Sequence, residues 1–137
     1  MSKNRNWFGV DVNNEESLFE YGFLMRYRKN GEYEVIYING FDENGNPLYS
    51  TGWFNPESWR NEFKENLGTD NYPDAAGIAK CCGMDAEEWL EYTENNPAGM
   101  VSDMMGYYSN DDVFGSNAYG GYYNVPQIRK RLNRALA

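Results

Sequence analysis

Hydrophobic and polar residues alternate near the start of the chain, over residues 18–28. One side carries Phe19, Tyr21, Phe23, Met25 and Tyr27, and the other carries Glu20, Arg26 and Arg28. A period of two with aromatic side chains is typical of a β-strand that buries one face. The segment therefore predicts the first strand of a sheet with an aromatic side.

A hairpin turn is predicted directly afterwards, at Asn30-Gly31. A type I′ turn needs a positive φ at both central residues, and Asn followed by Gly is the pair that favours it most. The return strand is predicted over residues 32–38. A two-residue loop sets the register so that Met25 lies opposite Ile36.

A second turn and a third antiparallel strand complete the predicted sheet. The turn is the polar segment 42–47, and the strand covers residues 48–54. Asp42, Asn44 and Asn46 match the first ligand positions of an EF-hand calcium loop. Proline replaces the required glycine, however, and tryptophan stands at the twelfth position instead of glutamate, so we interpret the segment as a turn.

Four helices are predicted after the sheet from their capping residues and apolar stripes. The first begins at Asn55-Pro56 and ends near Gly68, because asparagine caps well, proline fits the first turn and glycine suits the position after a helix. A shorter helix covers residues 74–82, the next begins at its cap Asp85, and the fourth begins at Pro97.

The end of the chain changes in composition. Residues 106–124 combine glycine, serine and asparagine with five tyrosines, which predicts one long loop. Loops of this length are uncommon unless they are functional or disordered. A further helix is predicted over residues 126–136, with four basic side chains.

These elements predict a single domain over residues 1–137 of the α+β class. An N-terminal three-stranded antiparallel meander (1–54) packs through its aromatic face against four to five C-terminal helices (55–137). The composition suits one core, since 41% of the 137 residues are hydrophobic and 17% are aromatic.

Several kinds of chemistry are excluded or disfavoured by the residue content. The chain has no histidine, which removes Ser-His and Cys-His catalytic pairs and imidazole metal ligands. It also lacks the glycine-rich phosphate loops and the serine-nucleophile motif. The two cysteines, Cys81 and Cys82, are adjacent, and neighbouring residues rarely form an unstrained disulfide, so we expect two small buried side chains in a reducing compartment. No cofactor and no metal are expected.

The sequence predicts a cytoplasmic protein without membrane contact. No apolar run approaches the roughly 20 residues that cross a bilayer. The basic first residues are not followed by the apolar region of a secretory signal.

Charge is distributed unevenly along the chain, whose net charge is −9. Residues 69–125 contain 10 acids and a single base, whereas residues 126–137 contain four bases and no acid. Glu87, Glu91 and Glu94 follow helical spacing, and like charges at such spacing destabilise an isolated helix by about 0.2–0.5 kcal/mol per pair. An acidic surface can serve solubility alone, or it can present carboxylates where a nucleic acid has phosphates.

Residues 78–89 resemble a helix-turn-helix segment. Ala79 takes the small position where the two helices touch, Gly83 supplies the turn and Asp85 caps the second helix. The second helix then begins with acidic residues, where a DNA-recognition helix needs cations or amides. The resemblance therefore implies a helix–turn–helix corner, and DNA binding through this helix is not expected.

In size and charge the chain is similar to the small anti-restriction and anti-CRISPR inhibitors of phages and plasmids, several of which mimic DNA. This similarity implies a non-catalytic inhibitor, acting in a bacterial host cell, that binds a basic nucleic-acid-binding protein. The acids expected to contact the partner are Glu87, Glu88, Glu91, Glu94, Asp103, Asp111 and Asp112. Tyrosine is enriched at protein interfaces, so the contact aromatics are expected to be Tyr107, Tyr108, Tyr122 and Tyr123.

Two other functions stay open. The basic C-terminal helix could contact phosphates, which makes a small helix-turn-helix-like DNA-associated regulator the first alternative. The second is a small carboxylate-dependent hydrolase, in which Asp103, Asp111 and Asp112 gather in one cleft as acid, base or magnesium ligands.

Overall fold

A computed structural model gives the structure of residues 7–10, 16–114 and 119–123, the last range for the backbone alone. The elements in chain order are α1 (Glu16–Tyr21), β1 (Phe23–Lys29), β2 (Glu32–Phe41), β3 (Pro47–Phe54), α2 (Pro56–Glu65), α3 (Ala75–Cys81), α4 (Ala86–Thr93), α5 (Pro97–Met105), α6 (Asn110–Phe114) and β4 (Tyr119–Tyr123). The predicted α+β class is confirmed, with an antiparallel meander followed by helices. The predicted helix 126–136 lies outside the described residues.

The sheet has a fourth strand that the sequence did not predict. Its strand order is β1-β2-β3-β4, and all neighbours are antiparallel. The prediction of one long loop over residues 106–124 is therefore wrong, because this segment contains α6 and β4. A short, glycine-rich strand has no clear alternation of its own and is stabilised by pairing with β3, which is remote in sequence.

The first predicted strand begins too early. Residues 18–21 belong to α1, and Gly22 separates this helix from β1 with a φ of +89°. The Gly22 N–H donates to the Leu18 carbonyl at 3.0 Å, as expected for a glycine after the end of a helix. The aromatic alternation before Gly22 is thus not a strand signal, and Phe19 and Tyr21 lie exposed.

The hairpin turn is confirmed, but the predicted register is wrong by one residue. Asn30-Gly31 has φ values of +55° and +81°. Met25 pairs with Val35 and not with Ile36, because β1 accommodates one extra residue, Arg28, just before the turn. Such a β-bulge shifts every pair beyond it by one position. Hydrophobic patterning does not reveal the bulge, since both faces of this sheet are buried.

The inner face of the sheet packs against the helices, as predicted from its aromatic residues. The strands contribute Phe23, Met25, Tyr33, Val35, Tyr37 and Phe54 to this core. The helices contribute Phe63, Ala75, Ile78, Ala79, Trp89, Leu90, Ala98, Met100, Val101, Met104, Val113 and Phe114. Burial of this apolar area is the main stabilisation of the fold.

The outer face carries a second, smaller core. Leu24, Ile36 and Tyr49 pack there with Leu18 of α1 and with Trp7. The backbone of Phe8 pairs with that of Met25, with both N–H···O distances 2.8 Å, so the segment around Phe8 also covers part of the β1 edge.

The predicted caps Asn55 and Asp85 are confirmed, and the structure adds a third cap, Asp74, at the start of α3. The side chain of Asn55 accepts the Ser58 N–H at 3.1 Å, and that of Asp74 accepts the Ala76 N–H at 3.0 Å. In the capping box of α4, Asp85 accepts the Glu88 N–H at 2.8 Å and Glu88 accepts the Asp85 N–H at 3.2 Å. Each cap satisfies backbone donors that a helix leaves without an internal partner.

The turn between β2 and β3 forms as predicted. One carboxylate oxygen of Asp42 accepts the backbone N–H groups of Asn44 and Asn46, both at 2.9 Å. The bond from the Asn46 N–H is the main reason that the pKa of Asp42 is lowered. The carboxylate is thus used to close the turn.

Helix α6 lies directly on the sheet at Gly52. A β-carbon at this position would be 2.9 Å from Cβ and 3.0 Å from the carbonyl oxygen of Phe114. Phe114 in turn stacks on Tyr37, with ring centroids 4.6 Å apart. The side chain of Asn110 donates to the Ile38 carbonyl at 3.1 Å and holds the other end of α6.

We expect Gly52→Ala to lower the free energy of unfolding by roughly 1–3 kcal/mol, because the added methyl group overpacks the contact with the Phe114 backbone. Urea unfolding of the two proteins measures the difference. Gly106→Ala is the matched control, since its β-carbon would meet no atom closer than 3.5 Å. Equal losses in both variants would contradict this contact.

Candidate functional site

The helix–turn–helix corner between α3 and α4 is present and sets the orientation of α4. Gly83 has a φ of +73°, and the Met84 N–H donates to the carbonyl of the buried Ala79 at 2.9 Å. Helix α4 buries Trp89 and Leu90 against the core. Its opposite side therefore faces solvent.

Three glutamates occupy this solvent side. Glu87 and Glu91 on α4 and Glu94 at its C-cap are all exposed. The last turn of α4 contains no basic residue. Glu91 and Glu94 thus stand at the negative end of the helix macrodipole, where cations are stabilising and anions are not. We call Glu87, Glu91 and Glu94 the acidic face.

No cation of the described residues neutralises the acidic face. In residues 7–10, 16–114 and 119–123, the side-chain ion pairs are those of Glu34 with Arg26 and Arg28, at 3.0 and 3.5 Å. Arg60 of α2 approaches the end of α4, but its guanidinium donates to the backbone carbonyl of Leu90, at 3.3 and 3.2 Å.

The other predicted acids have different surroundings. Glu88 is exposed but forms the capping box of α4. Asp103 is half-buried and accepts the indole N–H of Trp89 at 3.0 Å. Asp111 and Asp112 lie exposed in the first turn of α6, where acids are favourable, and the Asp112 N–H donates to the Ser109 hydroxyl. Of the predicted acids, the structure thus brings Glu87, Glu91 and Glu94 together on one helix side.

The carboxylates expected for a hydrolase do not form a metal site. Among the described residues, no three Asp, Glu or Cys side chains are grouped so that they could hold a metal ion. A cleft of about 450 Å³ lies between the hairpin turn, α2 and the α4–α5 junction. It is lined by Gly31, Tyr33, Pro56, Glu57, Arg60, Thr93, Glu94, Asn95 and Pro97, and not by Asp103, Asp111 or Asp112.

The expectation that the cysteines are buried is wrong. Cys81 and Cys82 are both exposed free thiols at the end of α3. The pKa of Cys82 is raised by partial burial and then by the negative charge of Asp103. The buried side of α3 is formed by Ala75, Ile78 and Ala79. A helix of seven residues has too few apolar positions for its sequence pattern to show whether the cysteines at its end are buried.

Two predicted tyrosines belong to a cluster of rings that the sequence did not reveal. We call Trp59, Tyr72, Tyr107 and Tyr108 the aromatic patch. Tyr108 lies 5.0 Å from Tyr72, 4.9 Å from Tyr107 and 6.2 Å from Trp59, measured between ring centroids. The four rings come from α2, the α2–α3 connection and the α5–α6 connection, so no spacing in the sequence could have grouped them. The side chains of Tyr122 and Tyr123 lie outside the described part.

The aromatic patch is fixed by specific contacts. The Tyr108 hydroxyl accepts the Asp74 N–H at 2.8 Å. The Tyr107 hydroxyl occupies the place that a β-carbon at Gly77 would take, so the glycine admits this ring against α3. Tyr72 and Tyr107 nevertheless stay 56% and 42% exposed.

Comparison of the chain with protein-family models, with curated proteins and with solved structures gives no match. Within the described residues, no helix has the length and apolar character needed to span a membrane. The function is therefore inferred from the residues themselves.

We expect Glu91→Lys to raise the free energy of unfolding by about 0.5–1 kcal/mol at low ionic strength. The lysine removes repulsion from Glu87 and Glu94 and complements the macrodipole. Urea unfolding at low and high salt measures the effect, which salt should reduce. Glu43→Lys in the β2–β3 turn makes the same charge change as a control. A loss of stability in Glu91→Lys would contradict the arrangement of charges on α4.

Alkaline pH should destabilise the protein through Tyr108. Burial raises the pKa of Tyr108 from 10.0 to about 12. The unfolded chain ionises first, so the stabilisation is complete below about pH 10 and is lost as pH rises to about 12. Urea unfolding across this range should show a shallower loss for Tyr108→Phe than for the native chain. An equally steep loss would assign the effect to other groups.

Proposed function

We propose that the protein is a non-catalytic inhibitor that binds a basic, nucleic-acid-binding protein through its acidic face and occupies the site of the nucleic acid. The main support for the proposal is the acidic face, in which Glu91 and Glu94 lie at the negative C-terminal end of the helix macrodipole. Carboxylates at these positions are expected to lower the stability of α4, so helix stability does not account for them.

Solubility alone would be served equally well by acids placed elsewhere. Asp111 and Asp112 lie in a first turn, where the same charge also stabilises the helix. The acidic face instead concentrates carboxylates on one side of a helix that is held rigidly by its buried residues. A row of fixed anions attracts a basic groove over long range and raises the rate of association.

The helix–turn–helix corner supports the DNA-associated regulator as a second candidate. Its geometry is suitable, with Gly83 in the turn and Asp85 as the cap of α4. Its charge is not, because α4 would bring Glu87 and Glu91 towards the phosphates of DNA. Such a regulator would have to use another surface, of which the basic segment 126–136 is the candidate.

The proposal is tested by affinity capture from a nuclease-treated bacterial lysate, followed by competition. The native chain serves as the bait, and the captured protein is identified. That protein is then purified and bound to the nucleic acid that it normally recognises, and the native chain is added as a competitor. We expect the native chain to displace that nucleic acid, with an affinity that falls as salt increases. Displacement by the native chain, and not capture alone, is the supporting result.

Charge-reversal variants localise the contact. The triple variant Glu87→Lys, Glu91→Lys and Glu94→Lys should weaken displacement at least tenfold, on the order of the coupling measured for close charge pairs across interfaces. The matched control reverses three exposed acids elsewhere, Glu20, Glu43 and Glu65.

Three results would count against the proposal. Equal weakening by both triple variants would mean that only net charge matters. A captured protein that keeps its nucleic acid would show that another site is bound. Nucleic acid that purifies with the chain itself, and is lost after nuclease, would favour the regulator.

A further inference from the structure

The aromatic patch is an exposed apolar surface with an acidic rim. Tyr72 and Tyr107 are among the large hydrophobic side chains that the fold leaves exposed. Glu62 on α2 and Asp112 on α6 are both exposed. The side chain of Asn66 donates to the backbone carbonyls of both Glu62 and Tyr72, at 3.0 and 3.3 Å, which places these two residues close together. Asp112 follows Tyr108 by four residues. The pKa of Tyr72 agrees with this placement, since it is raised first by partial burial and then by the charges of Asp112 and Glu62.

No cation of the described residues covers these rings. The cation–π contacts found in that part of the chain place Arg26 over Trp7, at 4.8 Å, and Arg28 over Trp53, at 5.5 Å. Both rings lie on the other side of the molecule from the patch, because Arg26 and its partner Glu34 belong to the outer face of the sheet. The patch thus offers π-faces and carboxylates together, and no cation of the described residues lies over its rings.

An arginine side chain fits this combination better than other groups. Its guanidinium is planar and weakly hydrated, so it stacks on a ring while its N–H groups donate to a carboxylate at the ring edge. A lysine ammonium is a compact, strongly hydrated charge and gains less from the ring. A nucleic acid would also stack on tyrosines, but Glu62 and Asp112 would repel its phosphates.

We propose that the aromatic patch, with Glu62 and Asp112 at its rim, binds an arginine side chain presented by a protein partner. This inference rests on the proposed function in taking that partner to be a basic protein. It adds a second contact, built on rings, to the purely ionic contact of the acidic face. The rings are held in place before binding, so little conformational entropy is lost on docking.

Rigidity follows from the way each ring is anchored. Trp59 packs on Phe63, with centroids 5.7 Å apart, and Phe63 packs on the buried Trp89 at 5.4 Å. Tyr108 stacks on Trp59 and accepts a backbone hydrogen bond from Asp74. A continuous series of rings thus connects the patch with the core.

The test compares two labelled peptides of equal charge, hexa-arginine and hexa-lysine, by fluorescence anisotropy at low salt. The native chain should bind hexa-arginine more tightly by roughly two- to fivefold, the range of a cation–π contact at an exposed ring. Tyr72→Ala should bring this preference to about one, whereas Tyr72→Phe should keep it because the ring remains. Phe41→Ala is the matched control, since Phe41 is 65% exposed at the end of β2.

The charge contribution is separated by a second pair of variants. Glu62→Gln with Asp112→Asn should weaken binding of hexa-arginine more than Glu20→Gln with Glu43→Gln does. Unchanged circular dichroism and an unchanged Tm establish that each variant is folded. Equal affinity of the native chain for both peptides, or a preference that survives Tyr72→Ala, would overturn the inference.

Two other occupants of the patch would also overturn it. A native dimer that dissociates in Tyr72→Ala, measured by sedimentation, would mean that a second copy covers the rings. A larger preference for hexa-arginine over hexa-lysine after the C-terminal cations are changed to glutamine would mean that the chain's own segment does so, because the change in net charge acts on both peptides equally. These cations are Arg129, Lys130, Arg131 and Arg134.

The peptide test and the displacement test fail independently. If the native chain shows no preference for arginine but still displaces nucleic acid, the inference about the aromatic patch is rejected and the proposed function is retained. If the native chain prefers arginine but displaces no nucleic acid, the aromatic patch is retained as a binding site and the proposed function is rejected.

Discussion

Burial of the Trp89 indole is the constraint on which the arrangement of the helices depends. The ring lies edge-to-face against Phe63 of α2, with centroids 5.4 Å apart, and is fully buried. An indole N–H without a partner in such a place would cost about 1–3 kcal/mol. Asp103 of α5 accepts it at 3.0 Å, so one side chain of α4 fixes the positions of two other helices. The side of α4 that faces solvent follows from this burial.

The same helix shows where stability and the proposed function oppose each other. At its beginning, Asp85 and Glu88 form a capping box and their charges agree with the macrodipole. At its end, the charges of Glu91 and Glu94 are unfavourable for the macrodipole. The guanidinium of Arg60 donates to the backbone carbonyl of Leu90 and not to either carboxylate. Stable folds often retain such locally unfavourable groups at binding surfaces, because the rest of the structure compensates for them.

Local signals in the sequence were sufficient for helices α2 to α5 and for the turns, but not for the short helices α1 and α6. The caps Asn55 and Asp85 and the turn Asn30-Gly31 depend on bonds within a few residues, and each was predicted correctly. The bulge in β1 could not be predicted from hydrophobic patterning, because Val35 and Ile36 are both apolar and either one can lie opposite Met25 when both faces of the hairpin are buried.

Features built from distant segments could not be read from the chain. Strand β4 depends on its pairing with β3, and the aromatic patch depends on the folding of α2 and the two connections onto one another. For the candidate site, helical spacing placed Glu87, Glu91 and Glu94 on one side of α4. Helical spacing could not show that Asp103 accepts a hydrogen bond from the indole of Trp89. It also could not show that the rings of Trp59 and Tyr72 contact that of Tyr108.

The core and the proposed binding surfaces are physically continuous. The rings of Trp59, Phe63 and Trp89 are in contact in that order, so the patch and α4 are attached to the same packed interior. Carboxylates and rings on such a support keep their positions when a partner approaches, and binding then costs little ordering of side chains. In the proposed function, long-range attraction by the acidic face would determine how quickly a basic protein arrives, whereas short-range contact with fixed rings would determine how long it stays. A surface with only charges would lose its partner as salt increases, and the aromatic contact is what would make binding persist at cellular ionic strength.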